Sequence, residues 1–165
     1  MLKNARTKPL LMLTLGLAVA APVGLLLAHD GNATTGIYKT RHDEYHKLGA
    51  AFKTLRDETK AGSPDMAKIK SAVQVVSNAS VNQFNWFPVG SGPQPGHKTR
   101  AKPDIWSNAQ GFASAQNRLK NEAAKLLAAS NSGDLSAIKA QYAETGKACK
   151  NCHDTFRAPE EDEKH

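Results

Sequence analysis

The segment "LSAIKAQYAETGKACKNCHDTFR" runs from Leu135 to Arg157, and its periodicity is helical. Leu135, Ile138, Tyr142, Thr145, Cys149, Cys152 and Phe156 follow one another by threes and fours, the spacing that keeps side chains on one face of an α-helix. The pattern stops before Pro159. The same segment holds the only two cysteines of the chain, and His153 follows the second at once. Both sulfurs are therefore predicted to point into a helical core, with an imidazole beside them.

Working back from this segment, the stripe recurs three times. From Gly36 to Lys60, Tyr38, Arg41, Tyr45, Leu48, Phe52 and Leu55 alternate by threes and fours, and Arg41 is the one charge among them. A second helix is predicted after "AGSP", with Ser63 as its cap and Pro64 in its first position, carrying Met66, Ile69, Val73 and Val76. Its pattern fades through "SNASVNQFNW", and the Gly- and Pro-rich run from Phe87 to Pro103 reads as a long loop. Pro103 opens a third helix, where Ile105, Phe112, Leu119 and Leu126 recur every seven residues until "SNSG" at Ser130 to Gly133. No alternating strand pattern follows residue 28. Four helices of similar length with near-heptad stripes predict an all-α protein, an antiparallel four-helix bundle.

The chain has 165 residues, enough for one such domain and a targeting segment. Lys3, Arg6 and Lys8 precede the uncharged run "PLLMLTLGLAVAAPVGLLLA" from Pro9 to Ala28. Residues 1–28 are read as a secretory signal and 29–165 as the bundle domain. An uncleaved anchor is the alternative, since the run is about as long as a bilayer core requires. Either reading exports the domain. Without those residues the chain loses three of its 22 Lys+Arg and none of its 15 Asp+Glu, so the net charge falls from +7 to +4. No basic block interleaved with aromatics appears, and a nucleic-acid partner is not expected. A partner with an acidic docking face fits the remaining charge.

Two thiols in an exported chain suggest a disulfide, but a bridge across so short a loop would constrain the unfolded chain little. Structural zinc needs four ligands, and no second cysteine pair exists. A redox dithiol belongs at a helix N-terminus, where the dipole lowers a thiol pKa; this pair lies near a helix C-terminus. C-x-x-C-H is the c-type haem attachment signature. Two thioethers, from Cys149 and Cys152, would tie one covalent haem c to the helix face, and His153 would reach the iron as proximal ligand.

The chain resembles the class II cytochromes c, specifically the cytochrome c′ type, over about residues 35 to 158. The resemblance rests on "TRHDEYHKLG", "WFPVGS", "KPDIW" and "CKNCHDTFR", and on a haem motif near the C-terminus. It implies a first-helix residue covering the haem face opposite the histidine, four positions after an arginine that holds a propionate. Those positions are Tyr45 and Arg41. Methionine ligation, as in the low-spin branch, is not expected, because Met1 and Met12 lie in the signal and Met66 opens the second helix. A neutral phenol with a reference pKa of about 10 is a poor iron ligand, so a vacant sixth site is expected. Arg157 is assigned to the His153 ring or a propionate, and Trp86 with Phe87 to a haem edge.

These readings predict a periplasmic five-coordinate haem protein for electron transfer or for binding small diatomics such as nitric oxide or carbon monoxide. No catalytic residue is assigned. The alternative is a six-coordinate electron carrier with His42 or His46 on the iron; His46, about 100° around the helix from Tyr45, is expected to face away. A haem peroxidase is a third reading that would require distal acid–base groups. The redox partner protein is not identified by the sequence. The resemblance implies a homodimer through the first two helices, for which Ile37 and Val75 are the apolar candidates.

Overall fold

The computed structural model describes residues 36–95 and 97–159. The predicted signal segment lies outside them. Five α-helices appear in chain order: α1 (Gly36–Lys60), α2 (Met66–Asn82), the single turn α3 (Asp104–Ser107), α4 (Ala109–Ser132) and α5 (Leu135–Phe156). A 3₁₀ turn, Gln83–Asn85, prolongs α2 through the region where the apolar pattern fades. Among the described residues no helix is long and apolar enough to cross a membrane.

The four long helices form the expected bundle. α1 packs on α2, α2 on α4, and α4 on α5, while α1 and α5 close the ring over a much smaller contact. The predicted stripes supply the core: Leu48 and Leu55 from α1, Ile69, Val73 and Val76 from α2, Ala123 and Leu126 from α4, and Ile138 from α5. A second, smaller cluster gathers Ile105, Phe112 and Phe156 at the end of the bundle that carries the cysteines. Phe87 packs against both clusters and joins them.

Two boundaries differ from the sequence prediction. Asp65, not Ser63, caps α2: its carboxylate accepts from the Ala67 and Lys68 backbone N–H groups at 2.9 and 3.1 Å. A carboxylate satisfies these donors and also answers the positive end of the helix dipole, which a hydroxyl does not. The third predicted helix is broken at Asn108, whose φ of −118° and ψ of 56° depart from helical values. The Asn108 side chain accepts from the Gly111 N–H at 3.1 Å and restarts the helix as α4. A Cβ at position 111 would lie 2.5 Å from Asn108 Nδ2, so a larger residue there would have to push the capping side chain aside. At its other end α4 stops as read, with Gly133 in the left-handed region at φ 74°.

The long loop is ordered against the bundle. Tyr38 donates to the Gly92 carbonyl at 2.8 Å, and the Trp106 indole donates to the Pro88 carbonyl at 3.0 Å. At its far end the loop pairs with the residues after α5. Lys102 N–H donates to the Phe156 carbonyl at 3.0 Å, and Ala158 N–H to the Arg100 carbonyl at 2.8 Å. The end of α5, one turn past the cysteines, is therefore tied to the loop.

Candidate functional site

Cys149 and Cys152 stand one turn apart on α5, partly buried and both free thiols. Burial pushes Cys149 up to about 11, with the Cys152 sulfur adding to it, and burial also raises Cys152. Unassisted, neither is a reactive thiolate at neutral pH, which argues against a redox dithiol. His153 is exposed at its outer edge. The protein packed beneath it lowers its pKa, and the Arg157 and Arg100 guanidiniums lower it further. A neutral imidazole is the form that ligates a metal.

Tyr45, from α1, lies toward this pair across the thinly packed α1–α5 seam. Its phenol is held well above its ordinary range, first by burial and then by the Cys152 and Cys149 sulfurs; Arg41 and Arg157 pull the other way. These opposing influences show that α1 and α5 bring Tyr45, Arg41, both cysteines and Arg157 within electrostatic reach of one another. Trp86 stands edge-on to the Tyr45 ring, centroids 5.0 Å apart at 81°, and is itself buried in the main core. Phe87 approaches Tyr45 at 6.2 Å from another side. The two aromatic residues assigned to a haem edge thus wall Tyr45.

Arg41, read as a propionate partner, is buried at 6% exposure. Its guanidinium donates through Nε to the Trp86 carbonyl at 3.1 Å and through Nη2 to the Ser91 carbonyl at 2.8 Å. Through Nη1 it reaches Thr99 Oγ1 at 3.3 Å. It also lies over the Phe87 ring, 4.5 Å from its centroid. Each guanidinium nitrogen therefore already engages the loop, an anchoring role that sequence reasoning missed. The available signal was Tyr38 and Arg41 three apart on one helix face, both with loop-directed polar groups. Burial lowers the pKa of Arg41, yet arginine remains charged at any ordinary pH.

His42 and His46 are both exposed, and their rings lie side by side, tilted by 40° with centroids 4.2 Å apart. They lie on the outer face of α1, away from the sulfurs. Met66 packs against the main core at the start of α2, the end of the bundle opposite the cysteines. Arg157 follows α5 as its C-cap, with its N–H on the His153 carbonyl at 3.0 Å.

The residues fit a haem on three counts: two free thiols on one helix face, an adjacent imidazole held neutral, and a facing aromatic wall without a competing ligand. In class, this is a four-helix bundle bearing a c-type haem attachment signature on its last helix. The family model described as Cytochrome C' matches residues 37–157. A cytochrome c' of Rubrivivax gelatinosus is 48% identical over 95 residues, covering 58% of this chain and 73% of that protein. A cytochrome c-554 of Cereibacter sphaeroides is 32% identical over 158 residues, covering 92% and 97%. Among solved structures, a nitric oxide complex of a variant cytochrome c prime from Alcaligenes xylosoxidans superposes with a TM-score of 0.67. It has 30% sequence identity and covers 75% of this chain and 94% of that one. The chain belongs to the cytochrome c′ family.

Proposed function

We propose that this protein is a periplasmic c-type haem protein that binds small neutral diatomics, nitric oxide or carbon monoxide, or passes single electrons. Cys149 and Cys152 would hold one haem through thioethers, and His153 would be its proximal ligand. The haem would supply a redox-active iron able to take up a small ligand. The chain's own residues supply the rest. Tyr45 walls the distal side with a neutral phenol, backed by Trp86 and Phe87, so that ligands approaching there meet a close-packed aromatic surface. Burial lowers the pKa of the His153 imidazole, and the Arg157 and Arg100 guanidiniums lower it further, which favours the neutral ring. Arg41 ties the loop to α1 beside Tyr45.

The observation that carries a five-coordinate reading is the outward placement of His42 and His46, which leaves Tyr45 facing the sulfurs. The relative captured with nitric oxide supports the gas-binding half of the proposal. The optical spectrum of the purified ferrous protein tests it: a high-spin spectrum is expected, and a low-spin spectrum without added ligand would overturn it. Export to the periplasm is part of the proposal, as is a homodimer through α1 and α2. Processing after residue 28 would appear in the mass of the native protein.

A further inference from the structure

We propose that His42 and His46 form a surface site for a divalent transition-metal ion of the copper or zinc class, independent of the haem motif. The two residues are four apart in α1, so their imidazoles lie on one face, and the rings sit 4.2 Å apart with a 40° tilt. His42 Nδ1 is 3.2 Å from Asp43 Oδ1. A carboxylate can only accept, so Nδ1 is the donor of this pair and Nε2 is the ring nitrogen left for a metal. Carboxylates orient metal-binding histidines in this way. Asp43 is held in turn by Lys39 through its other oxygen, and Glu44 is paired with Lys47 at 2.6 Å. Neither carboxylate is therefore at liberty to act as a ligand itself.

The spacing equals that of the two histidines in the zinc-binding H-E-x-x-H helix. Zinc–nitrogen bonds of about 2.0–2.1 Å require the two nitrogens to come within about 4 Å, and ring centroids 4.2 Å apart place the imidazoles close enough for that. Among the described residues no three His, Cys, Asp or Glu side chains are grouped for a metal. Water would complete the coordination, and copper(II) should bind more tightly than zinc(II), following the general order of divalent affinities. An ion bridging residues 42 and 46 would clamp the turn of α1 that carries Arg41 and Tyr45, and would stabilise the folded protein by mass action.

The test is calorimetric titration of the haem-loaded protein with copper(II) chloride and with zinc(II) chloride in a non-chelating buffer, beside His42→Ala and His46→Ala. Both residues are exposed and alanine suits a helix, so the variants should fold. Expected are one copper site tighter than zinc, a loss of at least tenfold in affinity in either variant, and a thermal midpoint that rises with copper only when both histidines are present. Unchanged affinity in either single variant would overturn the two-imidazole chelate. Retained uptake in the double variant would assign the metal elsewhere, for example to His97 or to His29 in the leading segment.

Discussion

Tyr45 is where one side chain has the largest consequence for function. Its ring is packed between Trp86 and Phe87, so a ligand entering on that side must displace it, and displacement within close-packed surroundings has a cost. Tyr45→Ala should therefore raise carbon monoxide affinity in the ferrous protein; a gain of about 1.4 kcal/mol is tenfold. His42→Ala and His46→Ala should leave that affinity unchanged, and flash-photolysis rebinding measures all three. Attachment is tested at the same scale. Haem should survive acid–acetone extraction in the native protein and be lost from Cys149→Ala/Cys152→Ala. Covalent haem in that double variant would refute the thioether assignment.

At the level of the helices, two joints carry the argument. The first is the buried pair Gln83 and Gln116, where each side-chain amide donates to the other's backbone carbonyl, at 3.3 and 3.1 Å. This reciprocal pair ties the 3₁₀ turn after α2 to α4. Removing one partner strands a buried polar group, so Gln83→Ala and Gln116→Ala should each cost about 1–3 kcal/mol. Each bond ends on the partner's backbone carbonyl and survives replacement of the partner's side chain, so the double variant should lose about the sum; urea unfolding gives all three values. The second joint is the Asp65 cap. Hydrogen bonds from the Lys68 and Ala67 N–H groups, the Lys68 bond foremost, hold its pKa below the ordinary carboxylate value. A depressed folded pKa means the stabilisation is complete above the unfolded value of about 3.9 and is lost as pH falls through the folded one. Asp65→Asn keeps the acceptor but does not titrate. Its urea midpoint should fall less than the native one between about pH 5 and pH 2.5, and equal losses would show that the cap is not a source of acid sensitivity.

For the molecule as a whole, the open question on the surface of α1 and α2 is what they meet. Val75 is 37% exposed, as expected for an apolar residue outside the core stripe, whereas Ile37 is partly buried. Val81 and Phe84, one turn apart at the end of α2, are also exposed, at 52% and 41%. Sedimentation equilibrium should show a dimer that Val75→Lys shifts toward monomer. A monomer at high concentration would end the proposal. The weak α1–α5 contact is the other global feature. The two helices that carry Tyr45 and the cysteines are each secured mainly by their other neighbours, and the thin seam between them is where the proposed haem would lie.

The amino-acid order alone determined the four helices, their core stripes and the positions of Cys149, Cys152 and His153, because these follow from periodicities of three and four within a single helix. It also placed His46 away from Tyr45, by the same helical geometry. The partners of Arg41 were decided only by tertiary structure, since the groups it binds lie 45, 50 and 58 residues along the chain. No local pattern reports a bond over such a separation. The break at Asn108 and the cap at Asp65 belong with it: several residues could have served each end, and the choice depended on where the packed helices had to start. The sequence left His42 flanking the stripe. In the folded protein it is exposed, with its ring beside that of His46 one turn on.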